Sequence, residues 1–155
     1  MKKMTLLVSI IMLATIAYSQ TPDFTGTWKL NSSLSKLNAE FTFAPNELII
    51  DQKGNDIKVE KHSSFQGENF TINEKFTMDG KECINEGFQG GEKKSKVIWS
   101  DDKKTLTVST KLTMGDGNEM TLTEIYKLDK KNLIISTKAS SSYGDVEETM
   151  GYDRQ

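Results

Sequence analysis

From Gly26 the chain alternates. Gly26, Trp28 and Leu30 fall on one side of the repeat and Thr27 and Lys29 on the other, the period of a strand with one face buried. The pattern then loosens. Leu30, Leu34 and Leu37 recur at helical spacing, Ser33 is placed to cap, and Pro45 closes the segment, which predicts a helical turn or two over one end of a sheet. Beyond Pro45 there is no further proline, so the rest of the backbone can pair without that interruption.

After Pro45 the pattern is strand, tight turn, strand. Residues 48–52 lead through Lys53-Gly54-Asn55 into 57–61. Residues 69–78 carry Phe70, Ile72, Phe76 and Met78 on one face and turn at Asp79-Gly80. Strands follow at 82–86 and 96–99, then at 106–114 with Leu106, Val108 and Leu112 in phase, then at 120–128, 133–139 and 146–153. Turn residues at Asp101-Asp102-Lys103, Gly115-Asp116-Gly117-Asn118, Asp129-Lys130 and Gly144-Asp145 separate them. This is an all-β protein, an up-and-down antiparallel meander of about eight to ten strands. Closing such a meander into a barrel removes its edges; an open sandwich is the alternative.

The first residues read differently. Lys2 and Lys3 precede an apolar run from Leu6 to Ile16, and Ala17-Tyr18-Ser19 offers small residues at a cleavage site. The expected layout is a signal peptide over 1–19 and one domain over 20–155. The run is shorter than the roughly 20 residues that span a bilayer, so no membrane span is expected after cleavage, and the protein is expected in the periplasm or outside the cell. Net charge is −2 for the whole chain and more negative without Lys2 and Lys3, which argues against a nucleic-acid partner. Cys83 is the single cysteine, so no intramolecular disulfide staples the domain and packing must hold it.

Gly26-x-Trp28 in the first strand, the meander, and a basic residue closing the last strand together resemble the lipocalin-like, or calycin, proteins, which include fatty-acid-binding proteins and avidins. The resemblance implies a barrel whose first-strand Trp28 packs under a cation from the last strand. Arg154, the only arginine, falls there. Gly26, Trp28 and Arg154 would thus be structural closure. Two departures limit the likeness: residues 31–45 are too few for the two-helix lid of fatty-acid-binding proteins, and their Arg-x-Tyr carboxylate site would need a basic residue where Met150 precedes Tyr152.

Candidate chemistry is sparse. His62, the only histidine, shares a polar phase with Lys58 and Glu60, and with Cys83 it is too little for a zinc site or a catalytic pair. Neither an enzyme, a metal nor a cofactor is expected. Three glutamates do break the pattern: Glu74 between Ile72 and Phe76, Glu124 between Leu122 and Tyr126, and Glu148 between Val146 and Met150. Facing one lumen, they would demand water, basic partners or a cationic ligand, and repulsion with desolvation would raise at least one pKa above the roughly 4.3 of free glutamate. The alternative is that bulges turn them outward or that they lie at the rim. The expected function is binding of a small, partly apolar or amphipathic molecule by Phe70, Glu74, Phe76, Glu124, Tyr126 and Glu148. The alternative is a secreted or envelope-associated interaction module, such as an inhibitor, with a filled barrel.

Overall fold

A computed structural model describes residues 21–39, 41–65, 67–87, 91–113 and 117–155. The leader segment and the turn residues Gly115 and Asp116 lie outside this set. Ten strands run in chain order: β1 (Gly26–Leu30), β2 (Glu47–Lys53), β3 (Asp56–Phe65), β4 (Glu68–Thr77), β5 (Glu82–Glu86), β6 (Glu92–Trp99), β7 (Thr105–Thr113), β8 (Glu119–Asp129), β9 (Asn132–Ser141) and β10 (Gly144–Arg154). They form one antiparallel sheet in the order β4-β3-β2-β1-β10-β9-β8-β7-β6-β5. Every hairpin neighbour is a sheet neighbour except β4 and β5, and β1 joins β10. The sheet thus curls into a nearly closed barrel with a single seam, between β4 and β5.

The seam is held at one end by side chains instead of a backbone ladder. Lys75 N donates to Asn85 Oδ1 at 2.8 Å, Asn85 Nδ2 returns a bond to the Lys75 carbonyl at 3.1 Å, and Thr77 N donates to Cys83 Sγ at 3.2 Å. Asn85 and Cys83 face inward on β5, so two short polar side chains do the work of a strand partner.

One end of the barrel, called the base here, is apolar and closed. Trp28 is fully buried, its indole N–H donating to the Phe24 carbonyl at 2.8 Å. Phe24 stacks on Trp99 and meets Tyr126 edge-on. Arg154 pairs with Trp28 across the β1–β10 ladder, its guanidinium carbon 4.3 Å from the indole centroid, and Nη1 donates to the Thr25 carbonyl at 2.7 Å. Gly26 makes this possible: its φ is +145°, and a Cβ there would come within 3.1 Å of Arg154 Nη1.

The segment from β1 to β2 corrects the helical expectation. Among its described residues only Ser32–Leu34 coils, as a single 3-10 turn capped by Asn31 rather than Ser33, with Leu34 exposed. It lies against the outer face of β10, because Gly151 has no Cβ: one built there would sit 2.4 Å from Leu34 Cβ. The chain rejoins β10 through a Lys36–Thr149 bridge, then crosses the end opposite the base, the mouth.

Candidate functional site

Inward positions change character from base to mouth. The apolar core contains Trp28, Leu48, Ile57, Val59, Phe76, Leu106, Tyr126, Ile135 and Tyr152 among its buried members. Next to it, on the same inward phases, eight polar side chains are buried: Lys61, Glu74, Lys93, Ser95, Thr110, Glu124, Thr137 and Glu148. They come from seven strands, β3, β4 and β6 to β10, so they form a belt around the interior. Beyond it Leu112, Leu122 and Ala139 are buried but stand outside the main core cluster. The interior is therefore an apolar base, a polar belt and a second apolar tier.

The belt is organised by two lysines. Lys61 Nζ lies 2.8 Å from Glu124 Oε1, joining β3 to β8 straight across the lumen. The same ammonium is 3.0 Å from Glu74 Oε2, a charge contact whose angle makes no hydrogen bond, so that oxygen counts as unbonded. Lys93, from β6, pairs with Glu74 Oε1 across the seam. Ser95 and Thr110 satisfy each other at 2.8 Å. Burial would push the Glu74 pKa up, but the Lys61 and Lys93 ammoniums outweigh it and hold it to about 2. Likewise burial would lower Lys61, yet Glu124 and Glu74 raise it well above its ordinary value. At Glu74 the shift runs opposite to the rise expected for at least one of the three glutamates, because Glu74 and Glu124 meet basic partners before they meet each other.

Phe76 and Tyr126 lie in the core, and Glu74 and Glu124 meet at Lys61. Glu148 also faces inward, but its carboxylate is engaged by the segment over the mouth: Asn38 N donates to Oε1 at 2.8 Å and Phe43 N to Oε2 at 2.9 Å. Glu148 thus fastens a lid and does not join the other two glutamates. Tyr152 fastens the end of that segment, its hydroxyl donating to the Pro45 carbonyl at 3.2 Å. Phe70 keeps the inward phase but is 44% exposed, with Ile72 beside it at 38%, because β4 has no ladder partner across the seam there. The seam leaves an apolar wall of the interior open to the outside.

The lysines were not among the residues singled out by sequence. Their signal was present: Ile57, Val59 and Lys61 share a phase, as do Lys93, Ser95, Val97 and Trp99, so each lysine interrupts an apolar face as the glutamates do. Pairing apolar-phase glutamates with apolar-phase lysines would have found the belt.

Several buried polar atoms in and beside the belt have no hydrogen-bond partner. Besides Glu74 Oε2 they are Glu124 Oε2, Tyr126 OH and Thr137 Oγ1. Thr137 stands opposite Glu124 in the β8–β9 ladder, and Tyr126 is two positions along the same face of β8. Burial, with Glu124 adding to it, pushes the Tyr126 phenol well up, so it is a neutral O–H. Among the described residues no group of three or more His, Cys, Asp or Glu is disposed to hold a metal ion. Shallow grooves occur on the outer wall, one along Ile125, Ser136, Lys138 and Glu147 and another along Lys94, Lys96, Ser109 and Thr121.

Comparison with solved structures settles the architecture. The zebrafish ileal bile acid-binding protein complexed with cholic acid superposes with a TM-score of 0.57 at 16% identity, covering 85% of this chain and 98% of that one. Lipid binding protein 8 of Caenorhabditis elegans gives 0.58 at 12% identity, covering 85% and 95%. The fold is the antiparallel up-and-down barrel of these two structures. No family model and no curated protein sequence matches the chain. At these identities the likeness is one of backbone, and this barrel covers its mouth with an extended segment held by Glu148 and Tyr152.

Proposed function

We propose that this calycin-type barrel is an exported carrier or receptor for a small, partly apolar molecule held between the belt and the mouth. The apolar part would lie along Leu112, Leu122 and Ala139, with Phe70 and Ile72 at the seam as the way in, and the polar part would reach the belt. The observation that carries this reading is the set of unpartnered buried atoms, Glu124 Oε2, Tyr126 OH and Thr137 Oγ1. A buried polar group without a partner costs about 1–3 kcal/mol, and three on adjacent inward positions are economically explained by a guest that bonds them. That the zebrafish barrel is complexed with cholic acid supports the same use of the interior. Export rests on Lys2, Lys3, the apolar run and Ala17-Tyr18-Ser19.

A second reading has its own observation. The Lys61–Glu124 pair crosses the lumen, so the barrel could be filled, and its outer wall would then serve a protein partner. Native mass spectrometry of protein purified from its own host separates the two. The carrier reading expects a chain starting at Gln20 with a small-molecule mass that leaves on denaturation. A bare chain that also fails to take up any decyl amphiphile favours the filled module, and a chain retaining Met1–Ser19 after export removes the leader.

A further inference from the structure

The belt also has a charge count, and it bears on what a guest must look like. Lys61 and Lys93 carry two positive charges, and Glu74 and Glu124 two negative ones, in direct contact. Glu148, the remaining buried carboxylate, is already occupied by two backbone N–H groups of the lid. The Lys61–Glu74–Lys93–Glu124 cluster is therefore neutral as it stands, and the charge of Glu148 is taken up by the lid. A guest arriving with its own charge would add an ion to a desolvated region holding no free counter-charge, the costliest thing to bury.

The unpartnered atoms narrow the chemistry further. Glu124 Oε2 can only accept a hydrogen bond, while Tyr126 OH and Thr137 Oγ1 can each donate or accept. Their residues are nearly inaccessible: Glu124 is 6% exposed, Thr137 4% and Tyr126 1%. A hydroxyl group answers all three, donating to Glu124 Oε2 while accepting from the phenol or the threonine. A carboxylate could take the two hydroxyl donors but would set its own charge against Glu124. An ammonium would satisfy Glu124 only by adding a positive charge beside Lys61.

Resting on the ligand-binding reading, we infer that the barrel is selective for an uncharged amphiphile with a hydroxyl head, such as a long-chain alcohol, over the corresponding carboxylate or ammonium. The hydroxyl is read by Glu124, Thr137 and Tyr126, on one wall of the lumen formed by β8 and β9.

Three ten-carbon probes test this: decanol, decanoate and decylammonium, titrated calorimetrically at neutral pH into protein stripped of bound hydrophobic molecules. Decanol should bind at least about tenfold more tightly than either ion, the discrimination expected when a buried site made for a hydroxyl meets a head that leaves it unpaired. Thr137→Val and Tyr126→Phe keep shape and remove one hydroxyl partner each; either should reduce decanol affinity several-fold while leaving the thermal midpoint close to that of the parent. If decanoate or decylammonium binds most tightly, or if neither variant alters decanol binding, the head-group inference fails and the carrier reading stands. If none of the three binds up to the solubility limit of decanol, the carrier reading itself fails.

Discussion

The base and the belt of this barrel are built from the same alternating strands and solve opposite problems. At the base, Trp28, Phe24, Trp99 and Tyr126 close on one another, and the Trp28 indole N–H finds its polar partner in the Phe24 carbonyl. At the belt, five charged side chains and three neutral polar ones are buried; four of the charged ones offset the cost by pairing with one another, and Glu148 is held by two N–H groups of the lid. The base would be improved by any better-fitting hydrocarbon. The ion pairs of the belt tolerate no single deletion, because each lysine is the reason a glutamate can be there. Buried apolar contacts are roughly additive, whereas buried ion pairs are all-or-none.

That contrast can be broken by mutation. Lys61→Ala should be the most damaging single change, costing about 3–5 kcal/mol by leaving Glu124 unpaired in the interior. Removing both partners, as in Lys61→Met with Glu124→Leu, should cost less than Lys61→Ala alone. Urea denaturation of the variants measures this, and a double variant no more stable than the single would show that the belt is ordinary core. At the base, Trp28→Ala should lose a comparable amount, about 3–5 kcal/mol. Arg154→Ala should lose only about 0.5–1 kcal/mol, as suits an exposed cation over a ring. The two should be coupled in a double-mutant cycle; strict additivity would mean that the closure is not one unit.

Acid distinguishes the regions without mutation. The folded pKa of Glu74 is depressed from 4.5 to about 2. Its contribution is therefore complete above the unfolded value and is lost as pH falls from about 4.5 toward about 2. Denaturation midpoints should decline across that window, and Glu74→Gln should flatten the decline at the expense of stability at neutral pH. An unchanged slope would place the acid sensitivity elsewhere.

The smallest effect belongs to the surface. His62 sits between Glu60, 2.6 Å from Nε2, and Glu47, 3.0 Å from Nδ1, and the Glu60 bond raises its pKa above 6.5. Its stabilisation is fully present below the unfolded pKa and fades as pH rises through the folded one. In a comparison with His62→Gln, the stability difference should shrink between mildly acidic and alkaline conditions.

How much of this was readable in the sequence follows from the same contrast. Strand period is a local property, so a meander of about eight to ten strands, and the phase that Glu74, Glu124 and Glu148 share with their apolar neighbours, are visible in alternation alone. The seam is not, since nothing in β4 or β5 states that their ladders fail to join. The destination of each carboxylate is not local either. Glu124 finds Lys61 from 63 residues away, and Glu148 finds the N–H groups of Asn38 and Phe43 from 110 and 105. The phase says that a side chain points inward; only the closed barrel says what it meets. Leu34 misled for a related reason, being held at the surface by the missing Cβ of Gly151 rather than by a helix.

The junction of β1 with β10 has a consequence for how the molecule comes into being. Most other pairings join neighbouring segments of chain, so the loops that must be ordered to form them are short. Arg154 and Thr25 are 129 residues apart in sequence, and bringing such distant ends together carries an entropic cost that hairpin formation does not. During synthesis β1 emerges well before its partner, so one edge of β1, and the indole of Trp28, must wait for β10. Tyr152 to Arg154 therefore complete the wall: without them the hairpins can form and still leave β1 unjoined to β10.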